Sequence, residues 1–511
     1  MGDLALGIDC SSTAAKVVAW DRSGKAAAEG RAPLEQLRLR PLHSEQRAED
    51  WWEATRAAIA ALLNAVPADR IAGICITHQR ESFVPVDEQN HALRNAILWD
   101  DARSLAQLDE LGERFGHDEL HRRTGRGPSV AQASSKLLWL VQHEPEVVAR
   151  THKFMDVHGS LVQRLTGRFT TSLASADSFG LTDIERQAWA DDLIEAIGLG
   201  PEQFCDTVKP GAVIGEVTAE AARASGLPAG IPAVAGLGDG QAACLGAGVT
   251  SLDRAYLNLG TAVTGGPVGR RYVTDPSCRT LYGGAPNTFL FENVLRGGLA
   301  TVTWFMRHFG DSFEERADFD RYEAAAREIG PGSNGLLLVP YWNHVTSPYW
   351  DPFASGIVVG WHHGHRRQHL FRAIEEGIAY EHRLAMEGIQ SATGERIREH
   401  VILGGGSNSD LWCQIMADVL GATVTRAHTA EATNLGAGIL CAFGIGWYPS
   451  VEEAAAAMTG TAESFQPEER ARELYDDLFT QVYRPLFPAI QQQLQRLTHL
   501  RADFEEGRPR A

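Results

Sequence analysis

The strongest constraint on the fold of this chain is a local pattern that occurs twice, once in each half. Residues 5–20 read ALGIDCSSTAAKVVAW, and residues 256–269 read YLNLGTAVTGGPVG. Each segment predicts an apolar strand, a turn of small residues rich in Gly, Ser and Thr, and a second apolar strand. A duplicated domain is the economical explanation, although two such units could arise independently. We therefore predict two domains, spanning residues 1–248 and 249–511.

Strands alternate with helices along the first half of the chain. Asp50 and Glu53 fit a capping box in front of an amphipathic helix, and residues 71–77 then have the pattern of a buried strand. This alternation predicts the α/β class. Because no long Pro- or Ser-rich linker separates the halves, we expect a tight interface with a cleft between them.

The charge balance excludes several classes of partner. The chain has 511 residues, of which 65 are acidic and 47 basic, giving a formal net charge of −18. Nucleic acids and anionic membranes attract an excess of positive charge, so we expect neither as a partner. The longest apolar stretches fall well short of the roughly 20 residues of a membrane-spanning helix.

The expected compartment is the cytoplasm. The first residues, MGDLALGID, have neither the basic region nor the cleavage site of a signal peptide. Seven scattered cysteines include no C-x-x-C pair, which favours a reducing compartment.

Two aspartates follow apolar strands and are flanked by small residues. Asp9 precedes Cys-Ser-Ser-Thr, whose hydroxyls and N–H groups suit a phosphate with Mg²⁺ beside it, although an ordinary tight hairpin would have the same residues. Asp239 lies between Gly238 and Gly240 at the predicted start of a helix. The glycines would leave it open to a substrate, as a general base requires, and a capping aspartate is the alternative.

Two glycine-rich segments occur near the C-terminus. Residues 404–406 follow an apolar strand and precede an amphipathic helix, an arrangement that fits a flat ligand such as adenine or phosphates at the helix start. Residues 433–438, TNLGAG, are explained by close helix packing.

Together, these segments resemble the FGGY family of carbohydrate kinases, from about residue 4 to about residue 490. Further segments appear in the order and spacing of that family: KLLWL at 136–140, PYWDP at 348–352, SGIVVG at 355–360 and HLFRAIEEG at 369–377. The resemblance implies an ATP-dependent phosphotransferase that acts on a hydroxyl of a small sugar or polyol. It also implies two actin-like, ribonuclease-H-like domains, each with a mixed five-stranded sheet flanked by helices. Homodimers are common among such kinases, so a homodimer is expected.

The resemblance also assigns roles to individual residues. Asp239 becomes the base that accepts the proton of the attacking hydroxyl, and Asp9 holds Mg²⁺ with it. The remaining nucleotide contacts fall on two hairpin turns, Ser12, Thr13, Gly260 and Thr261, and on the glycine-rich turn, Gly405, Gly406 and Asn408.

The acceptor site is predicted from two strand ends of the first half. Arg80 and Glu81 offer a donor fork and an acceptor pair, which can fix vicinal hydroxyls, and Trp99, Asp101 and Asp239 complete the predicted contacts. Gln79-Arg80-Glu81 is similar to the glycerol kinases, whereas residues 99–103 and 404–424 resemble the xylulose kinases more. We therefore expect a ketopentose as acceptor, D-xylulose first, with glycerol as the alternative.

Two other functions remain open at this point. A non-catalytic sensor of nucleotide and sugar would bind both without turnover, but the presence of Asp9, Asp239 and Thr261 disfavours it. A chaperone-like ATPase would need a separate peptide-binding domain, for which the chain has no room.

Overall fold

The computed structural model describes residues 2–310, 315–342 and 344–505. The strands described before the midpoint are β1 (Leu4–Cys10), β2 (Ala14–Trp20), β3 (Ala26–Pro33), β4 (Glu45–Gln46), β5 (Ile71–His78), β6 (Phe83–Val86), β7 (Ala96–Ile97), β8 (Lys153–Asp156), β9 (Thr170–Ser172), β10 (Thr182–Asp183), β11 (Ala188–Trp189), β12 (Asp206–Val208), β13 (Val213–Glu216) and β14 (Pro232–Gly238). Those that follow are β15 (Arg254–Leu259), β16 (Val263–Gly269), β17 (Arg279–Tyr282), β18 (Phe289–Leu295), β19 (Leu337–Val339), β20 (Ile357–Val359), β21 (Glu399–Leu403), β22 (Thr423–Ala427) and β23 (Thr461–Phe465).

Helices flank these strands throughout the described residues. The first half contains α1 (Ala48–Leu63), α2 (Leu105–Phe115), α3 (His117–Thr124), α4 (Ala133–His143), α5 (Pro145–Arg150), α6 (Val157–Thr166), α7 (Leu173–Ala176), α8 (Asp191–Ala196), α9 (Ala219–Ser225) and α10 (Asp239–Gly246). The second contains α11 (Gly298–Phe309), α12 (Glu315–Ile329), α13 (Arg367–Thr393), α14 (Asp410–Leu420), α15 (Ala432–Gly444), α16 (Val451–Met458), α17 (Glu469–Leu478) and α18 (Arg484–Glu505). In the described part of the chain, no helix has both the length and the apolar character that crossing a bilayer requires.

Two mixed sheets share one core topology, which confirms the predicted α/β class. Among the described strands, the first sheet has the order β13-β14-β5-β1-β2-β3 and the second the order β17-β18-β16-β15-β21-β22-β23. In each, a central strand pairs with an antiparallel hairpin partner on one side and a parallel strand on the other. Six strands correspond between the sheets, because β13 and β23 each pair antiparallel with the outer parallel strand. The predicted count of five strands is therefore wrong: among the described strands the first sheet has six and the second, which β17 extends, has seven.

The two halves meet through a close crossing of α10 and α15. A Cβ atom added at Gly436 of α15 would lie 2.1 Å from the carbonyl oxygen of Ala242 in α10. The amide Nδ2 of Asn434 also donates to the carbonyl oxygens of Gly7 in β1 and Lys16 in β2, both at 3.2 Å. This confirms the tight interface and the packing role predicted for residues 433–438. The predicted boundary at 248 falls between α10 and β15.

The helix predicted behind Asp50 begins earlier than expected. α1 starts at Ala48 after Arg47, and no side chain caps it. Asp50 lies in the first turn and accepts a hydrogen bond from Nε of Arg47 at 2.9 Å. The predicted capping box is therefore wrong, although the acidic first turn still complements the helix dipole.

A buried carboxyl group lies in α13. Neither side-chain oxygen of Glu375 forms a hydrogen bond with any described residue, and the side chain is fully buried. Burial, reinforced by the carboxylate of Glu323, raises the pKa of Glu375 well above its usual value. The folded protein therefore holds a proton at Glu375 under conditions where the unfolded chain has released it.

We expect Glu375→Gln to change how stability depends on pH. The folded-state pKa of Glu375 is raised. The stability that its bound proton contributes is therefore complete below the usual pKa of about 4.3 and is lost as the pH rises. While the folded state alone holds the proton, the slope is about 1.4 kcal/mol per pH unit, and glutamine removes it. In urea unfolding at pH 5, 6.5 and 8, the unfolding free energy of the variant should increase relative to that of the wild type as the pH rises. Parallel stability curves would contradict this, and Glu220→Gln on the exposed face of α9 is the control.

Candidate active site

A cavity of about 960 Å³ lies between the two halves and is lined by residues of both. It brings together seven of the residues predicted from the sequence: Ser12, Arg80, Glu81, Trp99, Asp239, Gly260 and Thr261. Asp9, Thr13, Asp101, Gly405, Gly406 and Asn408 are not part of its lining.

Asp239 lies where β14 ends and α10 begins. Its side chain is open to the cavity, and Oδ1 accepts a hydrogen bond from the N–H of Gly240 at 2.8 Å. Desolvation by the surrounding protein raises the pKa of Asp239 to about 6, although the positive charge of Arg80 lowers it. A reachable carboxylate whose pKa lies near neutral pH suits a general base.

Asp9 is the penultimate residue of β1 and lies close enough to Asp239 to feel its charge. Its Oδ1 is buried without a hydrogen-bond partner among the described residues. Burial, then the negative charges of Asp239 and Glu431, raise the pKa of Asp9 to about 7. Lys16 opposes that shift, but its Nζ lies 2.6 Å from Oε1 of Glu431.

The carboxylates of Asp9 and Asp239 could contribute to a Mg²⁺ site but could not complete one by themselves. The charge of Asp239 raises the pKa of Asp9, and a cation near both carboxylates would offset that repulsion. Mg²⁺ is commonly held by one or two carboxylates together with water and phosphate oxygens. No group of three or more His, Cys, Asp or Glu side chains in the described ranges could hold a metal by itself. A magnesium ion at Asp9 and Asp239 would therefore depend on oxygens supplied by water and the nucleotide.

Two hairpin turns contribute to the cavity wall from opposite halves. In the first, the Ser11 hydroxyl donates to the Ala14 carbonyl oxygen at 2.9 Å, Ser12 lines the cavity, and Thr13 is exposed outside it. In the second, the carbonyl oxygens of Gly260 and Thr261 accept hydrogen bonds from the first residues of α11 at 3.0 and 3.2 Å. Both turns present small polar groups to the space between the sheets.

The glycine-rich turn lies outside this cavity. Gly404 has a φ of +86°, and residues 405–408 form a 3₁₀ turn in front of α14. Gly405 and Asn408 are exposed, whereas a Cβ at Gly406 would lie 2.8 Å from Cβ of Leu259. The nucleoside contacts of Gly405 and Asn408 stay a prediction, and close packing accounts for Gly406.

Arg80 is bound by other side chains rather than free to hold a sugar. Its Nη2 donates to Oδ1 of Asp177 at 2.5 Å, and Nη1 donates to Oε1 of Gln241 in α10. Nε is buried without a hydrogen-bond partner among the described residues, and it lies 3.9 Å from Oε1 of Glu81. Arg80 thus ties the helix that carries Asp239 to the core of the first half, which was not expected from the sequence.

Glu81 is held among arginines. Its Oε1 accepts from Nη1 of Arg126 at 2.7 Å, and Nη1 of Arg279 lies 3.4 Å away. Burial alone would raise the pKa of Glu81, but the arginines outweigh it and lower the pKa to about 2. Glu81 is therefore ionised and remains a hydrogen-bond acceptor at the cavity wall.

The strand end around Trp99 is fixed by a buried lysine. Lys136 donates from Nζ to the carbonyl oxygens of Leu98, Trp99 and Ala131 at 2.8–2.9 Å. Burial lowers its pKa to about 7. Asp101 accepts from the N–H of Ser44 at 2.6 Å and from Arg103, so the geometry does not favour its predicted sugar contact.

Several residues of this site were missed because no motif marks them. They are Arg126, Asp177, Arg279, Glu292 and Arg296. Glu292 is completely buried and accepts from Nη2 of Arg279 at 2.5 Å. A charged residue inside the apolar segment 289–295 was an available signal, since such a group is buried only with a partner.

Comparison with known proteins agrees with this site. The model of the N-terminal domain of the FGGY family of carbohydrate kinases matches residues 4–246, and that of the C-terminal domain matches residues 255–445. The chain belongs to the FGGY family of carbohydrate kinases, which are phosphotransferases that use ATP and an alcohol acceptor.

Individual relatives cover nearly the whole chain. It is 29% identical over 478 residues to the xylulose kinase of Bacillus subtilis (strain 168), covering 93% of this chain and 95% of the relative. It is 30% identical over 486 residues to the glycerol kinase of Thermococcus gammatolerans, which covers 92% of this chain and 95% of the relative. The crystal structure of xylulose kinase from Rhodospirillum rubrum superposes with a TM-score of 0.90 at 25% identity, covering 96% of this chain and 99% of that one. The two actin-like mixed-sheet domains predicted above are thereby confirmed.

Proposed function

We propose that this kinase transfers the γ-phosphoryl group of Mg·ATP to a hydroxyl of D-xylulose, giving D-xylulose 5-phosphate. The observation that carries the proposal is the open carboxylate of Asp239, in a cavity whose walls hold two turns of small polar residues and the ionised Glu81. Similarity to xylulose kinases favours a ketopentose. Glycerol is the alternative acceptor, favoured by Gln79-Arg80-Glu81 and by similarity to glycerol kinases.

The proposed mechanism relies on positioning and charge neutralisation. Asp239 accepts the proton of the attacking hydroxyl, while Glu81 accepts a hydrogen bond from a neighbouring hydroxyl. The turns at Ser12 and Gly260–Thr261 orient the phosphates, and closing the cleft excludes water as a competing acceptor. Asp9 and Asp239 would hold Mg²⁺, which neutralises charge on the phosphates when it is bound.

A cytoplasmic location is part of the same proposal. The seven cysteines are all free and buried, which supports a reducing compartment.

A coupled ADP-release assay tests the proposed acceptor. Mg·ATP is offered with D-xylulose, D-ribulose, L-xylulose, glycerol, erythritol or no acceptor. We expect the highest kcat/KM with D-xylulose. Glycerol as the best acceptor would favour the alternative, whereas ATP binding without turnover on any of these compounds would contradict the proposed reaction and favour a sensor.

A further inference from the structure

A second cavity lies within the C-terminal half, away from the space between the two sheets. It has a volume of about 200 Å³ and is lined by residues of α13, of the turn after it, of β21, of the end of α14 and of α17. None of these residues lines the large cavity. Most ligand pockets measure about 300–1,000 Å³, so this one suits a small metabolite rather than a nucleotide.

The two carboxylates of this second cavity already have cationic partners. Oε1 of Glu387 accepts a hydrogen bond from Nε of Arg383 at 2.9 Å, and Oε2 accepts one from Arg484. Oδ1 of Asp476 accepts from Nη1 of Arg383 at 2.6 Å. The guanidinium of Arg383 also lies 4.3 Å from the ring centroid of Phe479. Arg383 and both carboxylates therefore bind one another, and a ligand would be bound by other groups.

Two further arginines of the second cavity are held weakly or not at all. Arg396 is exposed in the turn between α13 and β21, and its guanidinium forms no hydrogen bond or ion pair with any part of the chain that the structure describes. Nε of Arg472 lies 3.7 Å from Oδ2 of Asp476, beyond hydrogen-bond distance, and half of its side chain is exposed. The cavity thus has three arginines against two carboxylates, a local excess of positive charge in a chain whose net charge is −18.

The remaining polar groups of the second cavity can act as hydrogen-bond donors. His400 is buried, and its Nδ1 lies 3.4 Å from Nε2 of His382. Burial lowers the pKa of His400 to about 4, so the ring is neutral at pH 7. In the tautomer in which His382 donates, Nε2 of His400 carries a hydrogen. Oε1 of Gln390 accepts from the N–H of Ile397 at 2.9 Å, which leaves the amide nitrogen of Gln390 to donate.

Donors and an excess of positive charge fit a ligand that has anionic and acceptor oxygens. A guanidinium matches the oxygens of a phosphate group, and two guanidinium groups together would neutralise its two charges. We propose that this second cavity binds a small phosphate ester, whose phosphate is held by Arg396 and Arg472 and whose hydroxyl oxygens accept from His400 and Gln390. This binding is independent of the acceptor of the kinase reaction, because the two cavities share no residue.

Isothermal titration calorimetry on the full-length enzyme tests the second cavity. D-ribose 5-phosphate and glycerol 3-phosphate are titrated with Mg·ADP saturating the nucleotide site, beside inorganic phosphate and sulfate at equal ionic strength. We expect at least one ester to bind about tenfold or more tightly than either inorganic anion, because its hydroxyl oxygens add hydrogen bonds. Equal affinity for the esters and for either inorganic anion would overturn the inference, and so would the absence of binding by both esters.

Variants then test where the ester binds. Arg396→Met and Arg472→Met should each raise the Kd of the ester about 10- to 100-fold, because each removes a charged hydrogen bond. Arg396→Lys should retain part of the affinity. Wild-type affinity in both methionine variants would place the ester elsewhere, such as in the large cavity, and overturn the inference. Arg223→Met, exposed in α9, is the matched control, and thermal melting of each variant checks folding.

Discussion

Replacing Asp239 with asparagine should lower kcat by a factor of ~10²–10⁴ or more and leave ATP binding nearly intact. The amide has nearly the shape of the carboxylate, and it can still accept the 2.8 Å hydrogen bond from the N–H of Gly240. It cannot take the proton of the attacking hydroxyl. The loss should therefore lie in the chemical step rather than in the affinity for the nucleotide.

The measurement must separate a base from a ligand of Mg²⁺. ATP affinity and kcat are determined at increasing Mg²⁺ concentration for the wild type and Asp239→Asn. A base predicts that excess Mg²⁺ does not restore kcat, whereas recovery would show that the carboxylate acts through the metal. Asp206→Asn, at an exposed position in β12, is the matched control. Activity above about one tenth of the wild type would contradict the assignment of Asp239 as base.

Asp177→Asn should cost ~3–5 kcal/mol of unfolding free energy, the largest stability effect expected here. Asp177 is fully buried and accepts from Arg80 at 2.5 Å and from Nε2 of Gln241 and the N–H of Tyr282 at 3.2 Å. Asparagine keeps the volume but removes the negative charge. Arg80 would then be a buried cation without its main partner.

Urea unfolding followed by circular dichroism gives the midpoint and slope for the wild type, Asp177→Asn and the control Asp206→Asn. A loss below about 1 kcal/mol would show that Glu81 and Gln241 are sufficient to stabilise Arg80. Because Gln241 belongs to α10, we also expect a lower kcat in this variant, through displacement of Asp239.

Most of the residues in the proposed reaction could be predicted from short segments. Asp9, Asp239, Gly260 and Thr261 each follow an apolar strand and precede or form a turn of small residues. At such positions the local chain alone determines that polar groups lie at a strand end. The capping box predicted at the start of α1 was wrong. The helix begins after Arg47, and Asp50 binds that arginine instead of capping the helix.

The sequence by itself determined the class, the repeated sheets and the two aspartates, because these depend on local patterns of burial and turn formation. Only the tertiary structure decided that Arg80 is bound to Asp177 and that Asp101 is buried against Ser44 and Arg103. Those outcomes depend on which charges from distant segments become neighbours. In a buried site the free energy of a charge depends on its partners, and the order of residues along the chain does not specify them.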